Sequence, residues 1–332
     1  MPEQGIYGGM STDETRRRLA RKLREELGEL ICRALDDPKV IEILLNCDGA
    51  LFIERLGEPM TKVCDGIDPK QAEAIIGTIA SSLSTVCTRE SPILSGEMPI
   101  LGARFQGMLP PIVSRPTFSI RKKASSVFPL EAYVEQGIMT AGQAARLREA
   151  VRNRENILVV GGTGTGKTTL TNALIREMER LTPEHRLVII EDTAEIQCSS
   201  ENRVFLHTAD TVSMNMLLKA TMRLRPDRII VGEVRDGAAL TLLKSWNTGH
   251  PGGLATVHAN DARTALIRME QLIAEVSERP MPHLLAEAIN VVVSIQRTET
   301  SRRIGEFVAV RGVRAGEYVF TDLTQQELRD VA

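Results

Sequence analysis

The sequence has few aromatic residues, no excess of either charge and no closely spaced cysteines. Aromatic residues make up 3% of its 332 residues, which argues against a base-stacking surface for single-stranded nucleic acid. Lysine and arginine total 41 against 43 acidic residues, so the basic excess typical of proteins that grip duplex DNA is missing. The five cysteines form no C-x-x-C pair, which excludes a zinc knuckle and a disulfide framework and favours a reducing compartment.

Long apolar runs are missing as well. No segment approaches the roughly 18 apolar residues that a membrane-spanning helix needs. Residues 1–14 are polar and lack the apolar core of a signal peptide. We therefore expect a cytoplasmic protein, or one that contacts a membrane only from the side. Length and composition predict a globular protein of about two domains.

Residues 1–130 are predicted to form an α+β domain. It begins with an amphipathic helix at residues 11–36, in which leucine or isoleucine recurs every fourth residue and arginines lie on the other face. Such a basic helix suits an anionic membrane surface or a protein partner, although mixed charges facing water are the commoner arrangement. Short strands at residues 40–45 and 51–56 and a helix at residues 71–86 follow.

Residues 98–130 contain five basic side chains and no acidic one. At ordinary composition, about four acidic residues would be expected in a segment of this length. Pro110, Pro111 and Pro116 indicate strands and loops rather than a helix. A local positive surface favours an anionic partner such as phosphate, and chance clustering on a solvated sheet is the alternative. The basic residues are Arg104, Arg115, Arg121, Lys122 and Lys123.

Residues 131–150 are predicted as a linker with a connecting helix, and residues 151–332 as a second domain. In that domain apolar strands alternate with helical segments, which predicts crossover connections and a mainly parallel sheet. The fold class is therefore α/β. The predicted strands lie at residues 157–160, 187–190, 204–207, 229–231 and 254–257, with closing strands at residues 289–297 and 306–313.

A glycine-rich segment after the first of these strands matches the phosphate-binding pattern G-x-x-x-x-G-K-[ST]. Its glycines let backbone amides surround a phosphate, Lys167 brings a positive charge, and the Thr168 hydroxyl can hold Mg²⁺. A helical segment follows, and the positive end of its dipole favours the same anion. We therefore predict that this loop binds a nucleoside triphosphate with Mg²⁺. The predicted binding residues are Gly161, Gly162, Thr163, Gly164, Thr165, Gly166, Lys167, Thr168 and Thr169.

Carboxylates are expected beside this loop, because such enzymes need acids near the metal and the attacking water. Open α/β sheets bind ligands at the carboxyl ends of their strands, and Glu191 and Glu233 each follow an apolar strand. The residues alone do not divide the two roles between them, and each acid would also suit a helix cap. His258 ends another strand and is a candidate contact for the γ-phosphate.

Five segments, in this order, resemble the secretion-ATPase superfamily of type II and type IV secretion and type IV pilus motors. The similarity is greatest to the conjugative-transfer ATPases within it. The segments are the phosphate-binding loop, the acidic box at residues 190–195, residues 223–228, residues 229–235, and a histidine box at residues 248–260. Residues 102–123 also resemble the N-terminal domain of this superfamily.

The resemblance implies a RecA-like P-loop ATPase domain that follows a smaller α+β domain. It implies a homohexameric ring, peripheral to the inner membrane on its cytoplasmic face, that works with other secretion and conjugation proteins. ATP hydrolysis would drive domain motion for pilus biogenesis or substrate export. In such a motor Lys167 and Thr168 hold phosphate and Mg²⁺, Glu233 is the acid of the second motif on the metal side, Glu191 orients water, and His258 contacts the γ-phosphate.

The superfamily also brings arginines of its N-terminal domain onto the nucleotide, and Arg104 and Arg121 are the candidates here, acting in cis or from a neighbouring subunit. Two features depart from common patterns. Gly232 and Glu233 stand where many P-loop enzymes have an apolar residue and an aspartate. The paired C-x-x-C insertion of type II motors is missing, which favours the type IV side.

Other functions use the same loop. These residues hardly distinguish a secretion or conjugation motor from a type IV pilus assembly or retraction motor. A RecA-like DNA helicase is disfavoured by the neutral charge and the scarce aromatics, and a nucleotide-switched scaffold by the two acids. A small-molecule kinase is disfavoured because no lid-like arginine cluster follows the loop.

Overall fold

The structure, a computed structural model, divides the chain into two units, residues 1–125 and 126–332. None of the helices among the described residues is both long and apolar enough to cross a membrane. The described residues are 8–55, 58–123, 127–209, 211–298 and 301–324, without the side chains of residues 8–13, 15 and 16.

In the first unit, six strands of the described residues form an antiparallel sheet with two helices, α1 (Gly8–Asp36) and α2 (Pro69–Ser82), on one face. The strands are β1 (Val40–Leu45), β2 (Leu51–Arg55), β3 (Thr61–Cys64), β4 (Ile93–Glu97), β5 (Arg104–Met108) and β6 (Thr117–Arg121). Their order is β3-β2-β1-β6-β5-β4, so the first and last strands of the unit pair at its centre.

The two faces of this sheet differ as strand periodicity predicts. On β5 and β6 the side chains of Phe105, Phe118 and Ile120 are buried beneath the helices, whereas the residues between them are half-exposed. The leucine stripe of α1 packs on the same core, and Leu23 and Leu27 are fully buried. Burial of these apolar side chains holds the helices to the sheet.

Helix α1 is interrupted at Gly28, which corrects the unbroken helix predicted for residues 11–36. The backbone there takes φ 72° and ψ 172°, a conformation that glycine adopts without a steric penalty. Beside the break, the Gln71 side chain of α2 donates to the carbonyl oxygen of Glu26 at 2.8 Å. The arginines of the predicted solvent face that are described are exposed, namely Arg17, Arg18, Arg21 and Arg24.

In the second unit, one sheet carries helices on both faces, which confirms the predicted α/β class. Its strands, within the described residues, are β7 (Ile157–Val160), β8 (Leu187–Glu191), β9 (Arg203–His207), β10 (Arg228–Val231), β11 (Leu254–Val257), β12 (Val291–Arg297), β13 (Arg302–Arg314) and β14 (Glu317–Asp322). They are ordered β14-β13-β12-β7-β11-β10-β8-β9. The strands from β12 to β9 in that order are parallel, and β13 and β14 close the sheet as antiparallel strands.

Strand β7 shows why both faces of this sheet are covered. Ile157 and Val159 pack into one helical layer, Leu158 and Val160 into the other, and all four are fully buried. The first layer contains α3 (Leu130–Glu135), α4 (Ala141–Arg152) and α5 (Lys167–Leu181). The second contains α6 (Met214–Thr221), α7 (Ala238–Asn247), α8 (Ala262–Ala274) and α9 (Pro282–Ala288).

Residues 131–150, predicted as a linker with a connecting helix, do contain a helix, but they lie within the second unit rather than between the two units. Helix α4 begins with a capping box, in which the Thr140 and Gln143 side chains accept each other's backbone amides at 3.1 and 2.8 Å. Leu130 of α3 and Leu147 of α4 are fully buried in the core shared with α5. Because both helices bury apolar side chains there, the division between the units falls earlier, at residue 125.

A buried arginine holds the amino-terminal edge of this sheet. Arg228 begins β10, is fully buried, and donates to the carbonyl oxygens of Gly252 at 3.0 Å and Val151 at 2.8 Å. Its Nε donates to Nδ1 of His185 at 3.1 Å, so that ring nitrogen carries no proton. Burial lowers the pKa of Arg228 to about 10, and the side chain remains charged at neutral pH.

We expect the protein to lose stability below about pH 6.5, and part of that loss to come from His185. Burial, with the charges of Arg228 and Arg154, lowers the pKa of His185. The unfolded chain therefore binds this proton first, and stability falls as the pH drops from the unfolded pKa through the folded one.

Urea unfolding at several pH values measures the effect. His185→Asn should remove it, because asparagine keeps an acceptor for Arg228 without titrating. The matched control is the exposed His283, since His283→Asn should retain the wild-type dependence. An unchanged dependence in His185→Asn would contradict the assignment.

Candidate functional site

Four parallel strands end at one edge of the second sheet, and each leads to a predicted site residue. β7 leads into the loop at residues 161–166, and β11, beside it, leads to His258. β10 is the next strand and leads to Glu233, and β8 ends at Glu191. The carboxyl edge of a parallel sheet is where open α/β folds bind ligands. The structure thus brings the two predicted acids and the histidine to the edge that carries the loop.

The loop between β7 and α5 has a conformation that depends on glycine. Gly164 and Gly166 take φ values of 70° and 103°, in the left-handed region that favours this residue. At Gly161, a Cβ atom would stand 2.5 Å from the carbonyl oxygen of Ile295, so no side chain fits there. Helix α5 begins at Lys167, directly after the loop, so the free amides and positive dipole end of its first turn lie at the loop. These are the features of a phosphate-binding loop.

The Lys167 side chain is folded back onto its own loop. It is 8% exposed, and its Nζ donates to the carbonyl oxygens of Gly161 and Gly162 at 2.9 and 2.8 Å. The same nitrogen lies 3.4 Å from Nδ1 of His258. These acceptors are weaker than a phosphate oxygen, because hydrogen bonds between two charged groups are the stronger ones. The ammonium is therefore held where an incoming phosphate can take it over.

His258 connects Lys167 to Glu233. Its Nε2 lies 2.9 Å from one carboxylate oxygen of Glu233, and the other oxygen accepts from Arg235 at 2.6 Å. Burial by itself would raise the pKa of Glu233. The hydrogen bond and charge of Arg235, together with the charge of His258, outweigh burial, so the pKa of Glu233 is below its ordinary value. Arg235 also lies 3.4 Å from Asp192, so a network of charged groups runs along the strand ends.

The acidic box at residues 190–195 contacts the start of α5 through Glu195. Glu191 is 3% exposed, and its Oε1 accepts the backbone amides of Glu195 and Ile196 at 3.0 and 2.8 Å. Glu195 is half-buried, and its Oε2 accepts from the Thr168 hydroxyl at 3.3 Å. Glu191 therefore holds the backbone of the box in place, whereas Glu195 presents a carboxylate beside the hydroxyl predicted to hold Mg²⁺.

The oxygens around Thr168 fit a magnesium ion. Hydroxyl and carboxylate oxygens are hard donors, and in nucleotide sites Mg²⁺ is usually bound by one or two of them together with phosphates and water. Thr168 and Glu195 provide such a pair at the start of α5. The carboxylate of Glu233, predicted to lie on the metal side, is engaged by His258 and Arg235.

Two predicted nucleotide contacts lie in the first unit. Arg104 on β5 and Arg121 on β6 are directly opposite each other, on the sheet face turned away from α1 and α2.

His250, in the histidine box, precedes β11 rather than following it, and its Nδ1 lies 3.0 Å from the carbonyl oxygen of Pro226. It belongs to the edge that carries Arg228, away from the loop.

Three residues at the site were not predicted from the sequence: Glu195, Arg235 and Arg302. Glu195 and Arg235 lie in the motifs that carry the resemblance. Their proximity in the sequence to Glu191 and Glu233 could have indicated them. Arg302 donates to the carbonyl oxygen of Gly164 at 3.5 Å, although the two residues are 138 positions apart in the sequence. No local pattern indicates that contact, because it depends on where the hairpin of β12 and β13 packs.

Comparisons with known proteins identify the family. A family model described as "Type II/IV secretion system protein" matches residues 102–312. The chain is 56% identical over 301 residues to a probable conjugal transfer protein TrbB of Sinorhizobium fredii (strain NBRC 101917 / NGR234), which covers 91% of this chain and 92% of that protein. It is 29% identical over 325 residues to the type IV secretion system protein VirB11 of Bartonella quintana (strain Toulouse), over 84% and 90% of the two chains.

A solved structure shares the fold. The crystal structure of the pilus retraction motor PilT with bound ADP matches with a TM-score of 0.61 at 18% identity, over 86% of this chain and 83% of that one. The family model covers more than half of the chain, and the match to TrbB extends over nearly all of it. As the sequence motifs predicted, the chain belongs to the family of type II/IV secretion system proteins.

Proposed function

We propose that this chain is an ATP-hydrolysing motor of a type IV secretion or conjugative DNA-transfer apparatus. The observation that carries the proposal is the network at the strand ends, in which Lys167 of the phosphate-binding loop contacts His258 and His258 contacts Glu233. The names of the relatives support the apparatus, since they refer to conjugal transfer and type IV secretion. The ADP bound to the PilT motor supports the nucleotide.

Nucleotide binding begins at the loop. The β- and γ-phosphates take the Lys167 ammonium from the carbonyl oxygens of Gly161 and Gly162, because a charged acceptor makes the stronger hydrogen bond. His258 then loses its neighbour at Nδ1 while Glu233 still holds Nε2. Its ring, 43% exposed, is left beside the γ-phosphate as a contact that depends on this phosphate.

We assign the water-orienting role to Glu195 and a positioning role to Glu191. The resemblance pointed to Glu191, but Oε1 of Glu191 accepts two backbone amides. Glu195 is less buried and lies against Thr168, where its carboxylate can bond a water. Thr168 would hold Mg²⁺ together with the phosphates, and the bound ion would supply positive charge to the developing transition state.

We also propose the assembly that the family implies, a homohexameric ring at the cytoplasmic face of the inner membrane with other conjugation proteins. The support is family membership together with the names of the relatives. The exposed arginines of α1 are the surface that we assign to peripheral membrane contact. A pilus assembly or retraction motor remains the alternative within the same fold.

The test uses the purified full-length protein. We expect phosphate release from ATP that requires Mg²⁺, and a light-scattering mass of six chains in the presence of ATP. Failure to bind or hydrolyse ATP would contradict the proposal. Strong stimulation by single-stranded DNA would favour the helicase alternative instead. In cells, an inactive variant should lose conjugation; loss of twitching instead would favour the pilus motor.

Replacing either arginine of the opposed pair in the first unit should slow ATP turnover. Arg104 and Arg121 lie directly opposite each other on β5 and β6, so two guanidinium-bearing side chains share one face of the sheet. Arginines that reach a nucleotide stabilise its transition state, so Arg104→Ala and Arg121→Ala should each lower kcat at least about tenfold. Arg115→Ala is the matched control, because Arg115 is an exposed arginine of the same acid-free segment. Normal turnover in both test variants would show that this assignment is wrong.

A further inference from the structure

A cation on the far side of the loop, Arg302, has no role in the function proposed above. β12 pairs with β7 on the side opposite β11, and Arg302 begins β13 directly beyond it. Its NH2 group donates to the carbonyl oxygen of Gly164 at 3.5 Å, which is the outer limit of a hydrogen bond. Its Cδ and Nε stand 3.3 Å from the place that a Cβ atom on Gly166 would take. The guanidinium therefore lies against the phosphate-binding loop.

One nitrogen of this guanidinium has no partner among the described residues. Nε of Arg302 is buried and has no hydrogen-bond partner in the part of the chain that the structure describes, and neither has the buried hydroxyl of Tyr133. Burial raises the pKa of Tyr133 and the charge of Arg302 lowers it, so the two groups are close. A buried charged donor without an acceptor costs free energy, and an anion at this place would remove that cost.

The direction of the nucleotide also leads to Arg302. His258, Glu233 and Glu195 lie on the side of β11, β10 and β8, and this places the reacting γ-phosphate on that side of the loop. We therefore expect the α- and β-phosphates to lie over the loop and the first turn of α5, and the rest of the nucleotide to extend toward β12 and β13. Arg302 is the arginine on that side whose contacts with the loop are seen.

We propose that Arg302 binds the α- and β-phosphates of the nucleotide, on the side of the loop opposite His258. This inference rests on the ATPase function proposed above. ATP and ADP share these two phosphates, so the contact is made equally in the substrate complex, the transition state and the product complex. Removing such a uniform contact weakens both nucleotides alike and raises KM without changing kcat. Residues that act on the γ-phosphate instead change kcat.

The test replaces Arg302 with methionine, which keeps an unbranched side chain against Gly166 and removes the charge. We expect the dissociation constants of ADP and ATP, and KM, to rise about tenfold to a hundredfold, the range for one hydrogen bond to a charged group. We expect kcat to stay unchanged, and Arg302→Lys to restore part of the affinity because it restores the charge. Without nucleotide, the melting temperature of Arg302→Met should equal or exceed that of the wild type, since a buried donor atom without a partner, Nε, has been removed.

The matched control is Arg303→Met. Arg303 is the next residue on β13, so its side chain points to the other face of the sheet, and it donates to Gln296 at 3.4 Å. Its nucleotide affinity should equal that of the wild type. Unchanged ADP affinity in Arg302→Met overturns the inference. Weaker affinity together with a lower melting temperature without nucleotide also overturns it, because that result assigns Arg302 to support of the loop. If the wild-type protein binds no ADP, the ATPase function itself fails.

Discussion

Lys167→Ala is expected to lower kcat/KM for ATP by about a thousandfold or more, as loss of a charged group that stabilises a transition state does. In the structure this ammonium is buried against the loop carbonyls and reaches His258 at 3.4 Å. The loop contributes backbone dipoles, and Lys167 is the one lysine within the phosphate-binding motif. Without Lys167, the loop provides no cation to the charge that develops on the transferred phosphoryl group. Steady-state phosphate release at saturating Mg²⁺ measures the loss.

The control for this variant is Lys244→Ala. Lys244 is an exposed lysine in the last turn of α7, so its removal changes the net charge equally and leaves the loop intact. Its turnover should equal that of the wild type. The single tryptophan, Trp246, is buried in the core of the second unit, and its fluorescence during urea unfolding reports whether the Lys167 variant is folded. Turnover within tenfold of wild type by folded Lys167→Ala would contradict the proposed site.

The second sheet was largely predictable, because its strands are short apolar runs that lie between helical segments. Residues 157–160 and 254–257 are strands in both the sequence analysis and the structure. Their neighbours across the sheet were not predictable, since period and propensity indicate a strand without specifying its partner. The place of α3 and α4 was missed for a similar reason: Leu130 and Leu147 look apolar in the sequence, but the core that buries them is known only from the fold.

The candidate site was predictable where chemistry is encoded locally. The glycines and Lys167 form a contiguous motif, His258 follows an apolar strand directly, and Glu233 follows another after Gly232. The difference between Glu191 and Glu195 was hidden, because two glutamates four positions apart in one box look equivalent until their hydrogen bonds are known. Arg302 was hidden because its contact with the loop crosses 138 residues.

Glu195→Gln is expected to lower kcat about a hundredfold to a thousandfold while nucleotide binding persists. A positioned base that takes part in the transition state is typically worth such a factor, and glutamine keeps the size of the side chain while removing its basicity. The amide of the new side chain still reaches the Thr168 hydroxyl, so the loop and the first turn of α5 remain supported. Single-turnover hydrolysis and ADP binding, measured separately, distinguish the lost chemistry from lost affinity.

The comparison with Glu191→Gln decides between the two carboxylates. The amide oxygen of glutamine still accepts the backbone amides of Glu195 and Ile196, so a residue that only positions the box should lose less than about tenfold in kcat. Glu191→Ala, which removes that acceptor, should lower kcat further, since two buried amides lose their partner and the box loosens. Exposed Glu201 follows the same box, and Glu201→Gln serves as the charge control. The opposite order, with Glu191→Gln inactive and Glu195→Gln active, would return the water-orienting role to Glu191, because only a carboxylate at the reacting water is sensitive to this isosteric change.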